Sequence, residues 1–313
     1  MSSSTRTIPK PRAKRADEFT LHFWGVRGSI PSPGPETARY GGNTPCIEVR
    51  VGGEQLIFDL GTGVRELGAS AKGPLDAHIF ISHYHYDHLQ GLPFFGPIFD
   101  PRSRFIIRGP TRNSRSVKDV LSGQMQQPFF PVTAEMVFRA QLEYQSFAAG
   151  DRLTLGGARI SAIETNHPGG NLAYRIDFKG KTVVYATDTE HGSDRDTQLI
   201  EFARDADVLI YDSMYTEDEY LGRTGGPKIG WGHSTWQNAV KVADEAQVGT
   251  LVLFHHDPTR TDDALDALVR DVKKERKATI AAREGLTLSL LPKAESAAAP
   301  RRKGPAKSPR KKR

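Results

Sequence analysis

The chain has 313 residues, 37% hydrophobic and 26% charged, with a formal net charge of +6. That length allows one large domain or two small ones, and a core that needs no covalent staple. The single cysteine, Cys46, excludes an internal disulfide and a thiolate metal cluster, which suits a reducing cytoplasm, and no stretch approaches the roughly 20 apolar residues that span a bilayer.

Residues 1–17 read as a basic tail: Arg6, Lys10, Arg12, Lys14 and Arg15 stand in residues 1–15 with no acid among them, and without the apolar segment of a secretion signal. Residues 293–313 form a second tail with nine Lys/Arg against one Glu, rich in Ala and Pro, which predicts disorder. Residues 16–292 hold 29 basic and 36 acidic side chains, so the body is acidic between two basic ends. Such tails either solubilise the chain or contact nucleic acid or another polyanion.

Residues 18–292 read as one domain. Short apolar, β-rich runs predict strands at 19–26, 46–51, 56–60, 78–82, 104–108, 159–165, 172–178, 182–187, 208–211, 250–254 and 286–291. Helical patterns cover 112–125, 195–204, 234–246 and 262–274, with Ser234 and Asp262 as expected caps. Many strands with interspersed helices suggest a layered α/β domain.

The strongest motif is Ser82-His83-Tyr84-His85-Tyr86-Asp87-His88, directly after the apolar run Ile79-Phe80-Ile81. In extended chain, residues two apart share a face, so His83 and His85 can point at one ion. Asp87 and His88 fall where the chain should turn into a helix and can point at a second. Imidazole and carboxylate are ligands that zinc and related metals accept. Two ions need more than four ligands. Further candidates stand just beyond predicted strands: His167 in Asn166-His167-Pro168, Asp188, and His255-His256-Asp257.

The order Asp59, His83-x-His85-x-Asp87-His88, His167, Asp188, His255 resembles the five motifs of the metallo-β-lactamase superfamily, over roughly residues 19–291. The resemblance implies a four-layer αββα sandwich with metals at one sheet edge. It implies that His83, His85 and His167 hold a first metal, that Asp87, His88 and His255 hold a second, and that Asp188 bridges them. Asp59, in Phe58-Asp59-Leu60-Gly61-Thr62-Gly63, would support the metal loop from behind. Within the superfamily, Gly232-His233-Ser234-Thr235 followed by Leu251–His255 is similar to RNase Z and to relatives that cleave cyclic or small phosphodiesters. There Asp212 would pair with His233. The long arm that clamps tRNA in those ribonucleases is not evident in residues 100–140. The opening Phe23–Pro31 and Tyr40–Thr44 look like a bacterial group within the superfamily.

The implied chemistry is phosphodiester hydrolysis by a hydroxide shared between two divalent ions, with zinc the default and manganese or iron satisfying similar ligands. Asp87 would also orient the nucleophile, and His233, its tautomer set by Asp212, would protonate the leaving alkoxide. The substrate would be a cyclic nucleotide, another small phosphodiester or RNA. Two other readings are a thioester or lactone hydrolase on the same fold, and a metal-binding signalling module without turnover. Arg102, Arg104, Arg108, Arg112, Arg115 and Lys118 stand in residues 101–118 with no acid among them, a second candidate surface for phosphates or nucleic acid. His22, His78 and Cys46 read as structural, His191 as a loop residue, Asp257 as a turn former, and His256 as either a substrate contact or a residue turned away. A homodimer is left open; a membrane partner is not expected.

Overall fold

The computed structural model describes residues 17–291; the expected tails at 1–17 and 293–313 therefore fall almost entirely outside the described residues. In chain order the strands of the N-terminal half are β1 (Phe19–Gly25), β2 (Cys46–Val51), β3 (Glu54–Phe58), β4 (Asp76–Phe80), β5 (Arg104–Gly109) and β6 (Gln141–Ser146). The second half supplies β7 (Arg152–Leu155), β8 (Ala158–Thr165), β9 (Asn171–Phe178), β10 (Lys181–Ala186), β11 (Val208–Asp212), β12 (Thr250–Phe254), β13 (Thr279–Ala281) and β14 (Thr287–Ser289). The helices are α1 (Gly63–Ser70), α2 (Val117–Gly123), α3 (Ala134–Val137), α4 (Arg195–Phe202), α5 (Glu217–Tyr220), α6 (Trp236–Glu245) and α7 (Asp262–Glu275).

Two seven-stranded mixed sheets form, in the orders β14-β1-β2-β3-β4-β5-β6 and β13-β12-β11-β10-β9-β8-β7. In the first, β3, β4, β5 and β6 run parallel to one another; in the second, β10, β11, β12 and β13 do so. Strand β14 crosses back to pair antiparallel with β1. The inner strands of the parallel halves read in sequence as largely apolar runs because both their faces are covered; the edge strands β6 and β13 do not.

The sheets bury one core between them, where Phe58 meets Tyr174 and Tyr185 at 5.3 and 5.9 Å between ring centres and Phe23 meets Phe254 at 6.2 Å. A second core lies between the outer face of β9–β12 and α4, α6 and α7, and a third between β3–β5 and α1 and α2. This is the four-layer αββα sandwich that the resemblance implies.

Most strand expectations hold to within two residues. Strands β6, β7 and β13 were not expected: β6 and β7 are edge-side and polar, and β13 is only three residues long. Two caps are corrected. Helix α6 is capped by Thr235 rather than Ser234, and α7 by Thr261 rather than Asp262; in each the Thr hydroxyl accepts the N–H three residues on. Asp262 instead turns its carboxylate back to the Arg39 and Tyr40 N–H groups. Helix α2 starts five residues later than expected because Ser116 and Asp119 close a capping box there.

Candidate metal centre

The site gathers at the ends of β3, β4, β8, β10, β11 and β12, where each strand stops and its loop begins. After β4 the chain stays extended through His85, so His83 and His85 lie on the same face. It then closes a single 3-10 turn over Tyr86–His88, where a turn into a helix was expected. That turn carries Asp87 and His88 inward; both are buried.

Two clusters result. Ligand-capable atoms of His83, His85 and His167 lie within 4.8 Å of one another, as do those of Asp87, His88, Asp188 and His255. Asp188 faces both: its Oδ2 lies 3.6 Å from His83 Nε2 and 3.8 Å from His167 Nε2, and its Oδ1 lies 3.2 Å from His88 Nε2 and 3.3 Å from His255 Nε2. Asp59, Asp188 and His255 all adopt left-handed backbone, at φ +62°, +48° and +59°. Such conformations are costly for residues with a side chain and persist where surrounding contacts over-determine them.

Three of the imidazoles are aimed by their far nitrogens. His88 Nδ1 bonds Asp59 Oδ2 at 2.8 Å, His167 Nδ1 donates to the Gly232 carbonyl at 2.8 Å, and His83 Nδ1 lies 3.1 Å from Ser82 Oγ. Asp59 also accepts the Ser82 N–H and hydroxyl and the Tyr185 hydroxyl, each at 2.8 Å. Asp87 Oδ2 accepts the Ser29 N–H at 2.8 Å. Gly28 lies flat against His255, where a Cβ would come within 2.5 Å of the ring.

The near nitrogens are left in positions that suit a cation. His83 Nε2 is buried without a hydrogen-bond partner. His85 Nδ1 and His167 Nε2 approach to 3.0 Å, and His88 Nε2 and His255 Nε2 to 3.4 Å. Clustered ring nitrogens and carboxylates, desolvated together, are expensive unless positive charge sits among them. The donor set therefore fits two divalent ions.

Electrostatics point the same way. Burial opposes charge on Asp87, but His88 and His255 outweigh it and hold its carboxyl well below the usual range; His255, His88 and His83 do the same for Asp188. Burial, joined by the His88 ring, pushes His83 well below the ordinary imidazole value, and burial likewise lowers His85 and His167. His88 moves up despite burial, because Asp188, Asp87 and Asp59 surround it.

Beside the clusters, His233 Nδ1 lies 2.8 Å from Asp212 Oδ2, and the His233 ring stacks 4.9 Å from that of His255. Burial would lower the His233 pKa, but the Asp212 carboxylate outweighs it and lifts the value to about 9. The sequence therefore named ten polar side chains, Asp59 among them, that the fold brings to one place.

Others fall elsewhere. His256 is spent on the Ala282 carbonyl at 2.9 Å and turned away from the cluster; burial lowers it to about 3. His191 bonds Ser234 Oγ at 3.1 Å. His78 accepts from Arg108, and Cys46 is a buried free thiol. The basic stretch 101–118 is not one cationic surface: Arg102 pairs with Asp100, Arg104 with Glu143 and Arg112 with Glu164, and Arg108 is buried.

Several contributors carried no sequence signal. Ser29 acts through its backbone N–H, which any residue supplies. Glu190 is buried and receives the Gly230 and Gly232 N–H groups at 2.6 and 2.8 Å and the Tyr220 hydroxyl at 2.7 Å, fixing the Gly232 carbonyl that aims His167. Its place two residues after Asp188 was the only hint.

A sequence description of the Beta-lactamase superfamily domain matches residues 57–256, and the chain belongs to that family. It is a metal-dependent hydrolase of this superfamily. It is 28% identical over 310 residues to a protein named Ribonuclease Z from Thermoplasma acidophilum, covering 84% of this chain and 94% of that one. Among solved structures it resembles the metallo-β-lactamase fold protein YhfI from Bacillus subtilis (TM-score 0.66, 22% identity, 87% of this chain and 99% of that one). It also resembles a diphosphatase of the PhnP family (TM-score 0.64, 19% identity, 86% and 97%). None of the described helices is long and apolar enough to cross a membrane.

Proposed function

We propose that the chain hydrolyses a phosphodiester, with His83, His85 and His167 holding one divalent ion, Asp87, His88 and His255 a second, and Asp188 shared between them. When bound, the ions would supply Lewis acidity, activating water and offsetting charge on the phosphoryl oxygens. The observation that carries the reading is His233, held 2.8 Å from Asp212 and stacked on His255. A thioester expels a stable thiolate and does not need a paired acid at that position; an unactivated alkoxide does. Asp212 fixes the His233 tautomer with Nδ1 as its donor, which leaves Nε2 to deliver the proton to the departing oxygen. Asp87, its carboxylate steadied by the Ser29 N–H, both ligates and orients the attacking water.

The name of the archaeal relative denotes cleavage of RNA, and that of the diphosphatase hydrolysis at phosphorus, which supports a phosphorus-centred substrate. A small diester is favoured over tRNA, because only the short helices α2 and α3 occupy the stretch between β5 and β6. The test is a panel of bis-p-nitrophenyl phosphate, cyclic nucleotides, short RNA, a thioester and a lactone, offered to the zinc- and manganese-loaded chain. Diester turnover is expected; turnover of the thioester or lactone alone would overturn the reading.

A further inference from the structure

Two adjoining clefts of about 670 and 480 Å³ open beside the first cluster, the larger reaching His167 and the smaller His83 and His85. They share Arg112, Asn113, Gly169 and Gly170. Arg112 and Arg115 are bridged backbone to backbone, N–H to carbonyl at 3.0 and 2.8 Å, around Asn113 and Ser114 at φ +48° and +63°. Positive φ at both central residues is the tight turn that glycine would make at lower cost; here it presents two guanidiniums from one rigid hairpin at the cleft wall.

The charges at the wall are unequal. Arg112, Arg115 and Arg195 face it, against Glu164 and Asp194. Glu164 is already committed, 2.6 Å from Arg112 and 3.8 Å from Arg195. Among the described residues the Arg115 guanidinium makes no side-chain hydrogen bond or salt bridge, and with Lys118 it helps hold the Asp119 carboxyl below its ordinary value, after the Ser116 contacts. Gly170, at φ +82°, lets Arg112 lie against the backbone: a Cβ there would come within 2.7 Å of the guanidinium carbon. Among the described residues the cleft thus sets three arginines against two acids, with Arg115 bonded to no carboxylate, a few residues from His167.

We propose that this cleft is a second anion site, which takes a phosphate carried by the substrate beside the diester that is cut. The inference rests on the phosphodiesterase reading and deepens it: the preferred substrate is a small nucleotide diester bearing a further terminal phosphate. Arg115 is the principal contact, with Arg112 held in place by Glu164 as its neighbour. Guanidinium matches phosphate through paired N–H donors, and such charge-assisted contacts are about twice as strong as neutral ones.

The test compares the p-nitrophenyl ester of thymidine 5′-phosphate with the same ester bearing a 3′-phosphate, using the metal-loaded full chain. The 3′-phosphorylated ester should show a kcat/KM about tenfold higher, the gain of one such contact. Arg115→Ala should bring the ratio of the two kcat/KM values to within about twofold, with an unshifted thermal melt showing that the variant folds. Equal kcat/KM for the two esters, or a ratio that survives Arg115→Ala, would overturn the proposal. Calorimetry with thymidine 3′,5′-bisphosphate gives a readout independent of turnover. If neither ester is cleaved, the phosphodiesterase reading fails by itself, while a bisphosphate Kd weakened about tenfold in Arg115→Ala still supports the anion site and an unchanged Kd overturns it.

Discussion

Asp59 Oδ2 lies 2.8 Å from His88 Nδ1, and Asp59 holds this contact from a left-handed backbone position at φ +62°. The carboxylate is fully buried, and every oxygen lone pair that the fold uses faces a donor: Ser82 twice, Tyr185 and His88. One residue thus ties β3, the metal loop and β10 together behind the cluster.

Asp59→Asn places an amide NH2 against those donors. Leaving a buried donor unpaired costs about 1–3 kcal/mol, which a thermal or denaturant melt will show. Zinc affinity at the second cluster should fall about 10–100-fold, the usual effect of losing the group that orients a ligand histidine. A competition titration against a chelator measures it.

Gly28→Ala pushes a Cβ to 2.5 Å from His255. The ring has no room to retreat, because it is buried and stacked between the rings of His88 and His233. The expected outcome is loss of one ion while the His83, His85 and His167 cluster keeps its own. Metal analysis should fall from two ions per chain toward one.

His233→Ala and Asp212→Asn should both keep two ions, since neither side chain is needed to hold them. Turnover of an unactivated diester should drop about 10²–10⁴-fold in His233→Ala, the range for lost general-acid help. The drop should be much smaller on bis-p-nitrophenyl phosphate, whose leaving group needs no proton. An equal loss on both substrates would remove His233 from the proton-transfer role.

Glu190→Gln tests the indirect support of His167. Gln keeps one acceptor for the Gly230 and Gly232 N–H groups where the carboxylate has two, so the Gly232 carbonyl shifts and His167 loses its aim. Reduced affinity for one ion, with the His83–His85 pair intact, is the expected reading by metal titration; unchanged affinity would leave Glu190 as a loop staple only.

The candidate ligands were legible in sequence because they are rare residue types at fixed spacing, each just past an apolar run. The resemblance then predicted the sandwich, and the strands buried on both faces were visible as unbroken apolar stretches. Strands β6 and β7 were not, because exposed edge strands carry polar residues that read as loop. The Thr235 and Thr261 caps were missed by one residue, since adjacent Ser-Thr and Thr-Asp pairs each offer two capping side chains. The Ser29 N–H and the Gly28 contact lay beyond sequence reasoning, because what acts there is backbone and the absence of a side chain. The basic stretch 101–118 could not be resolved for a related reason: Asp100 adjoins it, but Glu143 and Glu164 lie far along the chain and meet it only in the fold.

The most direct test of the central claim is metal content measured alongside diester turnover on one preparation, before and after chelation. The account predicts two divalent ions per chain, turnover abolished when they are stripped and restored when zinc or manganese returns, and fewer ions in His83→Ala and His255→Ala. A chain that takes up no metal, or that cleaves the diester equally well without it, would contradict the account.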